Sequence, residues 1–243
     1  MTEINSKITT PIAIIIAGSL IAIAIIAAGY FGFFGNNNET IPDNSTNLES
    51  LREISDDDHI RGSIDKAEII VLEYSDLECP YCKSFHETLN QLRDTYTDEE
   101  FAWVFRHAPL DSLHAQARQE AEAAECVADI AGEDAFWNYI DKIYATTTSN
   151  DGLDLSLLPQ FAEEVGADKQ EFNKCLESGR TADIVQRDLD NALEATGGKI
   201  GTPFSIIILK DGQKFELGGA LPFEALKQGI DSILAGALDQ NNQ

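Results

Sequence analysis

The sequence predicts an α/β domain: a strand–helix–strand unit and a later β-hairpin, separated by a long helical insert and preceded by one transmembrane helix. Three observations carry this. Two β-branched and aromatic runs, residues 67–74 and 101–105, flank a segment whose apolar residues recur at helical spacing. Residues 112–196 read as helical throughout, punctuated by Gly132, Gly152, Gly166 and Gly179. Residues 11–34 are predominantly apolar and carry no charge.

That N-terminal run meets the roughly 20 residues that a membrane-spanning helix needs. A cleaved signal peptide is the competing reading, but its apolar core is ordinarily about 7–15 residues and ends in small residues. This run ends in the bulky Tyr30-Phe31-Gly32-Phe33-Phe34. Lys7 is the sole Lys or Arg ahead of it, which places residues 1–10 in the cytoplasm and the chain beyond the span outside. The expected localisation is the cell membrane, single-pass, with an extracytoplasmic domain. Residues 35–57 are rich in Asn, Ser, Thr, Asp and Glu and read as a flexible linker, with glycosylation-type triplets at Asn38 and Asn44. Of the 243 residues, about 185 remain for one domain, residues 58–243, with a sizeable core. The formal net charge of −25 argues against electrostatic binding to nucleic acid or to an anionic membrane surface.

Within the domain, residues 67–74 suit the buried centre of a sheet. From Pro80 onward Phe85, Leu89 and Leu92 share one helical face, so Cys79 stands at a helix N-terminus. The strand at 101–105 completes a βαβ unit. The insert begins with an Ala/Glu-rich helix carrying Cys126 and continues with one bearing Phe136, Trp137, Tyr139, Ile140, Ile143 and Tyr144. Short helices around Phe161 and from Phe172 to Cys175 precede a last one over 184–193. After Gly201-Thr202-Pro203, strands at 204–209 and 214–217 flank Asp211-Gly212, a hairpin signal. A final helix starts at Pro222 and reaches about Leu234.

The chemistry centres on Cys79-Pro80-Tyr81-Cys82. Thiol–disulfide exchange needs one cysteine with a lowered pKa and a second close enough to close the ring. A helix N-terminus, with its partial positive charge and free N–H donors, favours Cys79 as the anion, and Pro80 fits the first turn. Cys79 is therefore the candidate nucleophile and Cys82 the resolving partner. Half of a zinc site has the same spacing, but zinc needs a second Cys or His pair nearby. Cys126 and Cys175 lie on separate predicted helices, and His59, His86, His107 and His114 show no ligand-pair spacing, so no metal is expected. Exchange between thiols calls for no cofactor.

The residues also carry a resemblance. Asp58-His59-Ile60-Arg61-Gly62, Glu73-Tyr74-Ser75-Asp76-Leu77-Glu78 running into the tetrad and Lys83, Phe105-Arg106-His107-Ala108-Pro109-Leu110, and Gly201-Thr202-Pro203 look like landmarks of one family in the right order. The chain resembles the DsbA-like, thioredoxin-fold disulfide oxidoreductases, particularly secreted and membrane-anchored prokaryotic members, over residues 58–238. The resemblance implies a cis Thr202–Pro203 bond against the redox pair, with the Thr202 backbone free to pair with an extended substrate. It implies that Glu73 is a buried acid relaying protons to the resolving thiol, with a raised pKa that suits the task. Pro80 and Tyr81 fall in the same substrate-facing turn. His86 and His107 sit at positions the family often fills with His, and their expected role is structural. Glu78 and Tyr81 are candidates for tuning the redox potential. Some relatives carry a second disulfide in the insert, and in an oxidising compartment Cys126 with Cys175 is the expected pairing among three connectivities.

The expected function is thus an oxidase that introduces disulfides into secreted or surface proteins, reoxidised by a quinone-linked enzyme of the same membrane. An isomerase or reductase using the same chemistry stays open. Isomerases resembling this fold carry a separate dimerisation domain, and residues 35–57 leave no room for one. Glutaredoxins share the dipeptide but lack a long insert before the cis-proline. A non-catalytic binding module of the same shape is the rival from another class.

Overall fold

The computed structural model describes residues 46–240. The expected cytoplasmic segment, the span at 11–34 and Asn38 and Asn44 all lie outside the described residues. No described helix is long and apolar enough to cross a membrane.

The strands are β1 (His59–Arg61), β2 (Ile69–Ser75), β3 (Phe101–His107), β4 (Phe204–Leu209) and β5 (Lys214–Leu217). They form one sheet in the order β1-β3-β2-β4-β5. β2 runs parallel to β3 and antiparallel to β4, the edges β1 and β5 pairing antiparallel with their neighbours. The β-branched run of β2 thus takes the central position, covered on both faces, as its nearly unbroken apolar character requires.

Alternation along the strands sends two sets of side chains to opposite faces. Leu72 and Tyr74 of β2, Val104 of β3 and Ile206 of β4 share one core cluster with Leu189, Ala192 and Ala195 of a covering helix. Glu73 and Ser75, alternate with these, lie on the other face in register with Phe105 and His107. That second face is covered by α1 (Pro80–Thr95) and α3 (Glu133–Thr146). His86 of α1 packs edge-on against Trp103 of β3, 5.0 Å between ring centres, and Trp137 of α3 lies 4.7 Å from the same indole.

The insert comprises α2 (Ala117–Ala131), α3, α4 (Leu158–Glu164), α5 (Lys169–Ser178) and α6 (Ala182–Ala195). Gly132 alone separates α2 from α3, at φ +83°, a left-handed turn that a residue with a Cβ adopts with strain. α6 does double duty as the helix that covers the first sheet face. Cys126 of α2 and Cys175 of α5 are joined as a disulfide, Cα atoms 5.8 Å apart. The helix after Pro222, α7 (Phe223–Gln240), belongs to a separate compact unit and runs further than its expected end near Leu234.

One boundary differs from the expected one. Composition predicts a flexible linker as far as residue 57, yet the chain is docked from Asn47, whose N–H donates to the Ala195 carbonyl at 2.7 Å. Leu51 is buried, and Arg52 pairs with Asp58 at 2.6 Å and with Asp188 at 3.2 Å. The fully buried Arg106 of β3 donates to the carbonyls of Arg52 and Glu53, each at 3.1 Å. A buried guanidinium gives this polar segment its anchorage, which composition alone does not reveal.

Candidate active site

β2 ends at Ser75, and the turn Asp76-Leu77-Glu78 delivers Cys79 as the residue capping α1, with Pro80 at the helix's first position. Asp76 organises this turn. Its carbonyl accepts the Cys79 N–H at 3.1 Å, and its own N–H points at Cys82 Sγ at 3.4 Å. Its carboxylate accepts the Glu78 N–H and the Leu110 N–H, each at 2.8 Å, and lies 2.9 Å from His114 Nδ1. Both cysteines are free thiols.

The two sulfurs occupy unlike surroundings. Cys79 retains 5% of its surface and Cys82 none. Cys79 Sγ lies 3.4 Å from the Thr202 carbonyl oxygen, and the Thr202–Pro203 bond is cis. The Cys82 thiol hydrogen-bonds Cys79 and, against the effect of burial, lowers its pKa to about 6, with help from Thr202 and the backbone N–H groups of Cys82 and Tyr81. Burial pushes Cys82 well above the ordinary thiol value, reinforced by the neighbouring Cys79 and Glu73 charges. Between the cysteines, Tyr81 is 68% exposed, an apolar side chain presented beside the sulfurs.

Glu73 is fully buried on β2. Ser75 Oγ donates to one carboxyl oxygen at 2.7 Å and Trp103 Nε1 to the other at 3.0 Å. Burial overrides both donors and raises its pKa to about 8. Ser75 Oγ is also 2.9 Å from the Tyr144 hydroxyl oxygen, which lies 3.3 Å from the Asp76 carbonyl oxygen. With its single proton shared between these two acceptors, Tyr144 of the insert sits between the Ser75 hydroxyl bound to Glu73 and the turn that leads into Cys79.

Glu78 is buried and gripped by the segment after α3, where Thr147 Oγ1 donates at 3.1 Å and the Gly152 N–H at 3.0 Å. Burial and the Glu78 carboxylate push Glu120 of α2 up to about 10, so Glu120 stays protonated. His86 Nε2 is 2.5 Å from Asp141, and burial lowers its pKa. His107 Nε2 lies 3.2 Å from Glu125. Both histidines lie against carboxyl groups of the insert. Among the described residues no group of three or more His, Cys, Asp or Glu could hold a metal ion.

The structure brings Cys79, Cys82, Glu73, Thr202, Pro203, Pro80 and Tyr81 to one end of the sheet, while Cys126 and Cys175 form a separate clasp within the insert. Asp76, Ser75, Tyr144 and His114 complete the site, although the sequence assigns them no role. Asp76 and Ser75 stand in the landmark segment, but their partners come from distant segments that no local pattern connects to the tetrad.

Known proteins share the fold that carries this site. The family model described as Thioredoxin matches residues 55–232. The crystal structure of Pseudomonas aeruginosa DsbA2 is 29% identical and superposes with a TM-score of 0.60 over 75% of this chain and 97% of that one. Wolbachia pipientis α-DsbA1, at 22% identity and a TM-score of 0.65, shares the fold over 81% of this chain and 99% of its own. Among curated proteins, a Na(+)/H(+) antiporter NhaA 3 from Salinispora tropica is 33% identical over 182 residues, 75% of this chain. The chain spans about a quarter of the length of that relative, 26%. The chain is similar in fold to the DsbA proteins and belongs to the thioredoxin family.

Proposed function

We propose that this oxidoreductase works as a disulfide oxidase outside the cytoplasm, tethered by residues 11–34 and acting on secreted or surface proteins. The observation that carries this reading is the opposed state of two thiols at one helix start. Cys79, with a pKa lowered to about 6, is the sulfur able to accept attack and to leave as an anion. Cys82, buried and pushed upward, holds its proton once released.

In the oxidised enzyme a substrate thiolate attacks Cys79 Sγ. The Cys79–Cys82 bond breaks, and Cys82 takes its electron pair and a proton from Glu73. A second substrate thiolate then attacks the substrate sulfur of the mixed disulfide, and Cys79 departs as a thiolate. The substrate dithiol has lost two electrons and become a disulfide; the enzyme has gained them, and Glu73 recovers its proton from solvent. Thr202, beside Cys79, offers backbone to an extended client, with Pro80, Tyr81 and Pro203 flanking the sulfurs. A quinone-linked membrane enzyme would accept the electrons and restore the disulfide.

Oxidation of a dithiol peptide by the wild-type and Cys79→Ala proteins tests the assignment. Loss of activity in the variant is expected, and retained activity would remove Cys79 from the mechanism. The equilibrium potential of the couple against glutathione tests the direction: a value near or below that of thioredoxin would favour a reductase instead.

A further inference from the structure

We infer that His114, held by the Asp76 carboxylate, is the electrostatic partner of the Cys79 thiolate, a cation supplied to the redox turn by the segment leading into α2. The inference rests on the proposed role of Cys79 as nucleophile. It starts from a shortage of positive charge. The dipeptide Pro80-Tyr81 carries none, and the nearest lysine in the chain, Lys83, is spent on the Thr147 carbonyl at 2.7 Å. Carboxyl groups crowd the turn instead: Asp76 and Glu78 are buried within it, with Glu73 and Glu120, both held protonated by burial, beside them. Each ionised carboxylate there opposes a thiolate.

His114 is the cation that the turn itself secures. The residue is buried, and its Nδ1 sits 2.9 Å from Asp76 Oδ2. The Asp76 backbone meanwhile contacts both cysteines, through the Cys79 N–H at 3.1 Å and Cys82 Sγ at 3.4 Å. One residue therefore fixes the imidazole and the sulfurs in a common frame. Asp76 is in contact with His114, and the charges of Asp76, Cys79 and Asp151 act on its imidazole. Against the effect of burial, they raise its pKa above the ordinary histidine value. An imidazolium in this position lowers the free energy of the Cys79 anion both as attacking group and as leaving group, which favours the reduced enzyme and hence oxidation of clients.

Coupling between two titrating groups is reciprocal, so it can be read from either side. The first measurement is the thiolate ultraviolet absorbance of the reduced protein against pH, with the disulfide form as blank, for wild type and His114→Asn. Asn keeps a donor toward Asp76 and removes the charge. The Cys79 midpoint is expected near 6 in wild type and about 1 unit higher in the variant. The second needs no variant of His114: its imidazole midpoint, followed by NMR, should be higher in the reduced protein than in the disulfide form, which has no thiolate. Equal midpoints for His114 in the two redox forms, or identical Cys79 titrations in wild type and a folded His114→Asn protein, would overturn the inference. A wild-type protein with no low-pH thiolate transition would overturn both the inference and the assignment of Cys79 as nucleophile, which keeps the two failures distinguishable.

Discussion

The Trp103 indole donates to Glu73 Oε2 at 3.0 Å across the parallel β2–β3 pair, tethering the one carboxyl group on the apolar central strand. With the Ser75 hydroxyl on its other oxygen, Glu73 is fixed in place while burial keeps its pKa at about 8. Between its ordinary value of 4.5 and about 8, the folded protein holds a proton that the unfolded chain has lost. Stability therefore falls as pH rises through that window, by about 1.4 kcal/mol per pH unit from this group. Glu73→Gln stays neutral throughout and should remove that part of the slope, while slowing dithiol oxidation by about 100-fold through loss of the proton donor. Denaturant midpoints from about pH 5 to about pH 9 check the first effect. A slope unaltered by the substitution would mean that Glu73 ionises in the folded protein as it does in water.

The unlike thiols should be visible to an alkylating reagent. At neutral pH Cys79 is largely thiolate and Cys82 is not, so brief treatment of the reduced protein should give a single adduct at Cys79, with a rate that rises through about pH 6. Because the Cys82 thiol is the foremost cause of that low value, Cys82→Ala should move the transition upward. Mass spectrometry of the peptides assigns the adduct. Equal labelling of both cysteines, or a Cys82→Ala protein with an unshifted rate profile, would contradict the arrangement.

What can be read from sequence is what is local. The apolar run of β2 and the helix spacing after Pro80 are periodic patterns, and a carboxylate at Glu73 stands out against its strand neighbours. The hydrogen bonds that complete the site are not local: Asp76 reaches His114, and Ser75 reaches Tyr144, whose spacing suggests only a core aromatic. The docking of residues 47–57 is hidden for a related reason. Its anchor is Arg106, a charge buried inside a strand, and burial of a charge is decided by partners such as Asp58 that a local window does not show. The Cys126–Cys175 pairing comes from the resemblance, since three connectivities are open to four cysteines.

That disulfide ties α2 to α5 across 49 residues of chain. Closing a loop of this length in the unfolded state is worth about 4 kcal/mol in the chain-entropy account. The double variant Cys126→Ala/Cys175→Ala should lose stability on that scale, with the Cys79 thiolate titration unchanged because the clasp lies in the insert. Chemical denaturation and the titration, measured on the same preparation, separate the two effects. A shift in the Cys79 midpoint would show that the clasp positions the redox turn rather than only holding the insert together.

A final expectation concerns the join between the edge of the sheet and the insert. His59 of β1 stacks on Phe136, with Nε2 3.1 Å from Glu125 and Nδ1 2.9 Å from Glu133. Burial alone would lower the His59 pKa, but the two carboxylates raise it from 6.5 to about 9. Burial likewise opposes ionisation of Glu125, yet His107 and His59 bring it from 4.5 down to about 2. The His59 contribution is complete below its unfolded value and is lost as pH rises through about 9; that of Glu125 is complete above its unfolded value and is lost as pH falls through about 2. The clamp is thus whole between about pH 4.5 and about pH 6.5. Glu125→Gln leaves a buried imidazolium short of its main counter-charge and should cost about 3–5 kcal/mol within that window. The deficit should shrink toward alkaline pH, where wild-type His59 gives up its proton. Denaturant midpoints at acid, neutral and alkaline pH test this, and a deficit that stays constant across the range would assign the loss to packing instead of charge.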